Sequence, residues 1–223
     1  MIFTILVGAG KGKRLNCSIP KSMIEIGGKK LFFYSIEKFY KFSDKVFLAM
    51  PEGYIKKCKE ITKDLFPNLI VLKGGERRQD SVLNCLNHID ENEGIVLIHD
   101  IARPFVSENL IKKIIEGTKR YGACIPVLKI TDTVKELKKK FVRKTLDREK
   151  IVIVQTPQGF KLNLIKKAYE KAKKFTGSDD SFFLEKIGYN RIYCEEGERT
   201  NIKITFKDDL ILAEFLIKKW EKE

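Results

Sequence analysis

Hydrophobic residues in this chain fall into short, nearly unbroken runs separated by stretches with helical spacing. The runs "IFTILV" (2–7), "KVFLAM" (45–50), "LIVLKG" (69–74), "GIVLIHD" (94–100) and "ACIPVLKI" (123–130) have the length and composition of strands. Between them, "LFFYSIEKFYKF", "DSVLNCLNHI" and "SENLIKKIIEGTKRYG" repeat apolar positions with the period of a helix buried on one face. Strands and helices in alternation predict right-handed β-α-β units around a mostly parallel, twisted sheet. Strands that are apolar on both sides predict a sheet covered by helices on both faces. No internal repeat or low-complexity linker interrupts the pattern, so the expected fold is α/β, with a single domain over 1–223.

One stretch breaks the rhythm. From Thr131 to Lys150, "TDTVKELKKKFVRKTLDREK" is polar and strongly basic, with too few apolar positions to cover a sheet. It predicts an extension leaving the domain, a protruding β-arm; on composition alone, a solvated hairpin with no role fits equally well. The chain then returns with "IVIVQTPQGF", a helix near "LNLIKKAYEKAKK", a strand near "RIYCEE" and a closing helix from about Asp208 to Lys222.

The 223 residues carry a net charge of +14, which admits nucleic-acid binding, an anionic small substrate or a lysine-rich surface. Cys17, Cys58, Cys85, Cys124 and Cys194 are scattered and include no C-x-x-C pair, which fits a reducing compartment better than a disulfide framework or a zinc site. The apolar run at the start ends at Gly8, too short for a signal core or a membrane span. A cytoplasmic protein with no membrane partner is expected.

The candidate chemistry begins at "GAGKGKRL" (8–15), a glycine loop after the first strand, crowded with Lys11, Lys13 and Arg14 and followed by Lys21. Such a loop lets backbone N–H groups converge on phosphate. A Walker A loop would need glycine where Val7 stands and serine or threonine where Arg14 stands. The dinucleotide fingerprint would need glycine in place of Lys13. Three more clusters fall where an open α/β sheet places its ligands, at the C-terminal ends of strands: "GGERRQDS" (74–81), "HDIARPF" (99–105) and "NIKIT" (201–205), the last putting Lys203 on a late strand. Asp100, at the end of a buried strand, needs a cationic partner; Mg²⁺ shared with phosphates is the usual one. His99 reads as a core imidazole or a site residue. The scarcity of histidine and the lack of a G-x-S-x-G elbow or H-E-x-x-H suit phosphoryl-type chemistry, which is mostly positioning and charge neutralisation.

Taken in order, "GAGKGKRL…PKSM", "GGERRQDSV", "HDIARPF", "DTVKE", "LDR", "QTPQGF", "SDDS" and "NIKIT…DDLILAEF" resemble the 2-C-methyl-D-erythritol 4-phosphate cytidylyltransferases of the non-mevalonate isoprenoid pathway, from Ile2 to about Phe215. The resemblance implies a Rossmann-like nucleotidyltransferase fold with a dimerisation arm at 131–150. It also implies a Mg²⁺-dependent reaction in which the sugar phosphate attacks the α-phosphorus of CTP and pyrophosphate leaves. By the same resemblance Arg14 and Lys21 stabilise the transition state. Gly8, Ala9 and Gly10 touch nucleotide through backbone, and Gly75, Glu76 and Ser81 read cytidine. Asp100 is the Mg²⁺-associated aspartate, and Arg103 lies near the sugar phosphate. Thr133, Arg148 and Lys203 position that phosphate, Thr133 and Arg148 coming from the arm of the second subunit of a homodimer.

The chain departs from that pattern at named places. Gly8 stands for the usual alanine, and Ile101 for a small residue beside the aspartate. The approach to Thr133 is a few residues longer, Ser178 replaces a common threonine, and Thr200 replaces an acidic residue before Asn-Ile-Lys. These touch the acceptor half more than the CTP half, so a ribitol 5-phosphate cytidylyltransferase of the same fold is the alternative. A nucleic-acid-binding protein is a remote one, because only Phe141 interleaves the basic run "KELKKKFVRK"; no nucleic-acid partner is expected.

Overall fold

The computed structural model describes residues 1–10, 12, 15 and 19–220. The expected strands form as β1 (Ile2–Val7), β4 (Lys45–Met50), β5 (Leu69–Lys73), β6 (Ile95–Asp100) and β7 (Ala123–Lys129), with a short hairpin of β2 (Glu25–Ile26) and β3 (Lys29–Lys30) between the first two. Beyond them come the arm strands β8 (Lys135–Lys138) and β9 (Phe141–Thr145), then β10 (Val152–Val154), β11 (Gln158–Lys161) and β12 (Tyr193–Glu196). The helices are α1 (Leu31–Tyr40), α2 (Ile55–Thr62), α3 (Arg78–Leu86), α4 (Glu108–Tyr121), α5 (Leu162–Lys171), α6 (Ser181–Lys186) and α7 (Lys207–Trp220). No described helix is long and apolar enough to cross a membrane.

The main sheet runs β10-β7-β11-β6-β1-β4-β5, with β12 also paired to β7. Its strands are parallel except β10 and β11, which run antiparallel to β7. Side chains alternate along each central strand and sort into two layers, as the two-residue strand period demands. Phe3, Ile5, Phe47, Ala49, Val96 and Ile98 pack with α3, α5 and α6 on one face. Leu6, Val46, Leu48, Met50 and Leu97 pack with α1, α2 and α4 on the other. A third apolar cluster joins Ala213 and Ile217 of α7 to Leu15, Ile24, Phe105 and Ile204, and so anchors the segments that carry Lys21 and Lys203.

The arm does leave the sheet. β8 and β9 pair only with each other, and Lys139 at the tip adopts φ +57° in the left-handed region. Phe141 on the hairpin is 78% exposed. One expectation changes: residues 201–205 join no strand, being held instead by single bonds such as Ile204 N–H to the Ala102 carbonyl at 2.8 Å. The closing helix forms as expected, from Lys207, and just before it Asp209 Oδ2 accepts the Thr205 and Phe206 N–H groups at 2.6 and 2.7 Å.

Candidate active site

β1, β4, β5 and β6 all end at one rim, and the segments that follow β1, β5 and β6 line a cleft of about 470 Å³. Gly8, Ala9, Gly10 and Lys21 line it from one side, Gly75, Glu76, Arg77, Arg78 and Ser81 from another, and Asp100 and Lys203 from a third. Thus most of the residues singled out from the sequence converge on one place. Arg14 lies outside the described residues.

The two glycine turns touch. A Cβ on Gly74 would stand 2.1 Å from the Ala9 Cβ, so only glycine lets the turn after β5 approach the loop after β1. Ser81, buried at the first turns of α3, closes that turn by accepting the Gly75 N–H at 3.0 Å. Arg77 caps α3 by binding Asp80, the Nη2 to Oδ1 distance being 2.7 Å.

Asp100 is 7% exposed and holds two cations: Arg78 Nε donates to Oδ1 at 2.7 Å and Lys203 Nζ to Oδ2 at 2.6 Å. Burial by itself would push its carboxyl up, but Arg78 and then Lys203 outweigh it and hold the group well below the usual carboxylate range. Arg78 also donates through Nη2 to Asp180 Oδ2 at 2.7 Å, and Tyr169 donates its hydroxyl to Asp180 Oδ1 at 2.6 Å. Burial disfavours the Arg78 charge, but Asp100 and Asp180 together raise its pKa further above the usual range. Arg78 is the site residue that the sequence reading missed. Lys21, in the single helical turn Lys21–Met23, donates to the Ile204 carbonyl at 2.6 Å and so ties its own loop to the Lys203 segment.

His99 resolves as a core imidazole. Its Nε2 faces the Arg103 carbonyl at 3.1 Å, which can only accept, so Nε2 carries the proton and Nδ1 accepts from the Thr156 hydroxyl at 3.1 Å. Burial pushes its pKa down to about 3, keeping it neutral. Arg103 does not line the cleft; its Nη1 donates to the Asn201 carbonyl at 2.8 Å. Thr133 and Arg148 are exposed on the arm and also stand outside this cleft, Arg148 Nη1 donating to the Thr131 carbonyl at 2.6 Å.

The described residues contain no group of three His, Cys, Asp or Glu side chains able to hold a metal ion. Two carboxylates line the cleft, Glu76 and Asp100. Magnesium keeps several waters and takes one or two carboxylates beside phosphate oxygens, so an ion arriving with phosphate would bind Asp100 by taking the place of Arg78 or Lys203 on one of its oxygens.

An open α/β sheet whose rim presents a glycine loop, a second glycine turn and a charged carboxylate has the make-up of a nucleotide-binding α/β protein. The comparisons narrow the class. The chain belongs to the 2-C-methyl-D-erythritol 4-phosphate cytidylyltransferase family, whose family model matches residues 2–219. It is 40% identical over 222 residues to the enzyme of that name from Clostridium botulinum, covering 96% of each chain. Among solved structures it resembles 4-diphosphocytidyl-2C-methyl-D-erythritol synthase from Anaerococcus prevotii, with TM-score 0.86, 31% identity and 97% and 96% of the two chains covered. The Thermus thermophilus 2-C-methyl-D-erythritol 4-phosphate cytidylyltransferase superposes with TM-score 0.80 at 33% identity, covering 98% and 100%.

Proposed function

We propose that this cleft joins CTP to 2-C-methyl-D-erythritol 4-phosphate, giving 4-diphosphocytidyl-2-C-methyl-D-erythritol and pyrophosphate. The observation that carries the reading is the Asp100–Arg78–Lys203 charge cluster standing opposite the Gly8–Gly10 loop in one cleft. An oxygen of the sugar phosphate forms a bond to the α-phosphorus while the bond to the pyrophosphate oxygen breaks. A phosphate monoester has its second pKa near ~6 and is largely dianionic at neutral pH, so no general base is needed.

In this reading the loop N–H groups of Ala9 and Gly10 bind the triphosphate, and Gly8, whose own N–H is taken by the Ala49 carbonyl at 2.9 Å, lets the loop approach it closely. Lys21 and Arg14 meet the charge that builds on the α-phosphorus. Gly75, Glu76 and Ser81 shape a compact pocket that favours a pyrimidine. Asp100 would hold a Mg²⁺, which supplies charge neutralisation to the phosphates when bound. Lys203 takes the acceptor phosphate; Arg103, braced against the Asn201 carbonyl, supports that segment from behind.

Thr133 and Arg148 enter the site of a second copy of the chain. Their distance from their own cleft, and a basic hairpin with Leu137, Phe141 and Val142 exposed, support a homodimer with shared sites. Among the described residues four thiols are free, three of them buried, which suits a cytoplasmic setting.

The test is pyrophosphate release by purified protein with CTP and Mg²⁺ over a panel of polyol phosphates. Turnover with 2-C-methyl-D-erythritol 4-phosphate well above that with ribitol 5-phosphate is expected. The reverse preference overturns the acceptor assignment.

A further inference from the structure

The segment Gln155-Thr156-Pro157-Gln158 lies where β10 gives way to β11, just after the arm rejoins the sheet. None of its side chains lines the cleft, and Gln155, Thr156 and Gln158 are nearly or fully buried. Each is bound to a different element that carries a cleft charge.

Gln155 holds the stretch before Lys203. Its Nε2 donates to the Glu198 carbonyl at 2.8 Å and to the Asn201 carbonyl at 3.3 Å. Its Oε1 accepts the Glu198 N–H at 3.1 Å and the Asn201 Nδ2 at 3.3 Å. Gln158 holds the other side. Its Oε1 accepts the Asp180 and Ser181 N–H groups at 3.1 and 3.2 Å, and its Nε2 donates to Asp179 Oδ2 at 2.8 Å. Asp180 in turn grips Arg78. Thr156 sits between them, its Oγ1 accepting the Asp100 N–H at 3.1 Å.

We infer that Gln155 and Gln158 are positioning residues with divided duties: Gln155 fixes Lys203 for the acceptor phosphate, and Gln158, through Asp180, fixes Arg78 on the nucleotide side. Only an amide can do either task. Each position binds acceptors and donors at once, so a carboxylate loses the donation and an apolar isostere loses both. Buried polar groups left unpaired would then pull their segments toward new partners, and a small displacement of a charge at a phosphoryl site costs rate steeply.

The inference rests on the substrate assignment proposed above, and its test separates the two. Gln155→Met and Gln158→Met keep side-chain volume and remove the hydrogen bonds. Steady-state kinetics on the wild-type protein come first; absence of turnover with CTP and methylerythritol phosphate overturns the substrate assignment and this inference with it. Given an active wild type, Gln155→Met raises KM for the acceptor about fivefold or more and leaves KM for CTP within about twofold. Gln158→Met does the opposite, and CTP binding measured by calorimetry weakens to match. Changes that fall equally on both substrates, or only on the amount of folded protein, overturn the division of duties while leaving the activity standing. Where Gln158→Met does not fold, Asp180→Asn breaks the same link one bond nearer to Arg78 and is read in the same way. For Gln155, Gln155→Asn, which keeps a neutral amide but shortens its reach to the Glu198 and Asn201 carbonyls, serves that purpose.

Discussion

Ile101 carries its Cδ1 to within 3.2 Å of the point where a Cβ on Gly8 would stand. These are two positions at which the sequence resemblance marks a departure from the family's usual residue, one by losing a methyl and the other by gaining bulk. The two changes fill one space. Gly8→Ala is therefore expected to destabilise by about 1–3 kcal/mol through overpacking. Ile101→Val added to it recovers part of the loss, the Ala49 carbonyl at 2.9 Å and the Met50 sulfur at 3.1 Å accounting for the remainder. Urea unfolding of the two single variants and the double variant measures the coupling. Strict additivity would show that the two positions are independent.

Lys21→Ala is expected to lower kcat by two or more orders of magnitude while the thermal midpoint moves little. In the proposed reaction it removes the positive charge that would meet the negative charge building on the α-phosphorus, a loss typically worth ~3 kcal/mol or more. Lys21→Arg restores only part, since a planar fork cannot reproduce a compact ammonium. Turnover near the wild-type value in Lys21→Ala would remove the lysine from the chemistry.

Excess EDTA is expected to stop the reaction and added Mg²⁺ to restore it. Asp100→Asn keeps the shape of the side chain and loses the charge that Arg78 and Lys203 share. CTP binding to this variant should weaken more at low Mg²⁺ than at high Mg²⁺. Titration calorimetry at two magnesium concentrations provides the comparison, and an equal loss at both would separate Asp100 from the ion.

Mixing two inactive proteins is expected to restore activity. Lys21→Ala has a dead cleft and a sound arm, and Arg148→Ala the reverse. After subunit exchange in equal amounts, about half of the dimers are mixed and each of those holds one sound site of two. About a quarter of wild-type activity returns. Activity that stays at the mean of the two parents, with exchange demonstrated by mass spectrometry, would place Arg148 in its own subunit's site.

Burial pushes the thiols of Cys58, Cys85 and Cys124 up to about 12. Near pH 8 their thiolate fraction is then on the order of 10⁻⁴, so iodoacetamide leaves them unmodified in the native protein and labels them in urea, where thiols titrate near ~8.5. Raising the pH to 9 changes the native result little. Peptide mass mapping reads each cysteine separately, and native labelling of Cys85 as fast as in urea would contradict its burial.

Much of this architecture was legible because the strands are buried on both sides, and continuous apolar runs have few other uses. Ile2–Val7, Lys45–Met50 and Ile95–Asp100 are such cases. The arm was legible for the opposite reason, its lack of apolar positions. The antiparallel turn of β10 and β11 was hidden, because pairing direction depends on distant partners and not on local pattern. The strand expected at Lys203 did not form, since the backbone groups around it are taken singly by other partners: the Asn201 carbonyl by Gln155 and Arg103, the Ile204 N–H by the Ala102 carbonyl, the Ile204 carbonyl by Lys21 and the Thr205 N–H by Asp209. Arg78 went unnoticed beside Arg77. In sequence the two are alike, and what separates them is that Arg77 turns to Asp80 while Arg78 turns to Asp180, 102 residues away. The spacing Arg77–Asp80 was the one local hint, because it uses up the first arginine and leaves the second for another task.

Asp180, Arg78, Asp100 and Lys203 alternate in sign along contacts of 2.7, 2.7 and 2.6 Å. Their formal charges cancel, so the floor of the cleft is electrically quiet before any substrate arrives. Long-range attraction for a triphosphate then falls to cations outside this set, such as Lys21, and to the +14 of the whole chain. Capture and conversion are consequently governed by different fields. Salt screens the first over a Debye length of about 8–10 Å and scarcely reaches the second, where paired groups act at contact distance. Ionic strength thus sets how often the cleft is filled, and leaves almost untouched what happens once it is.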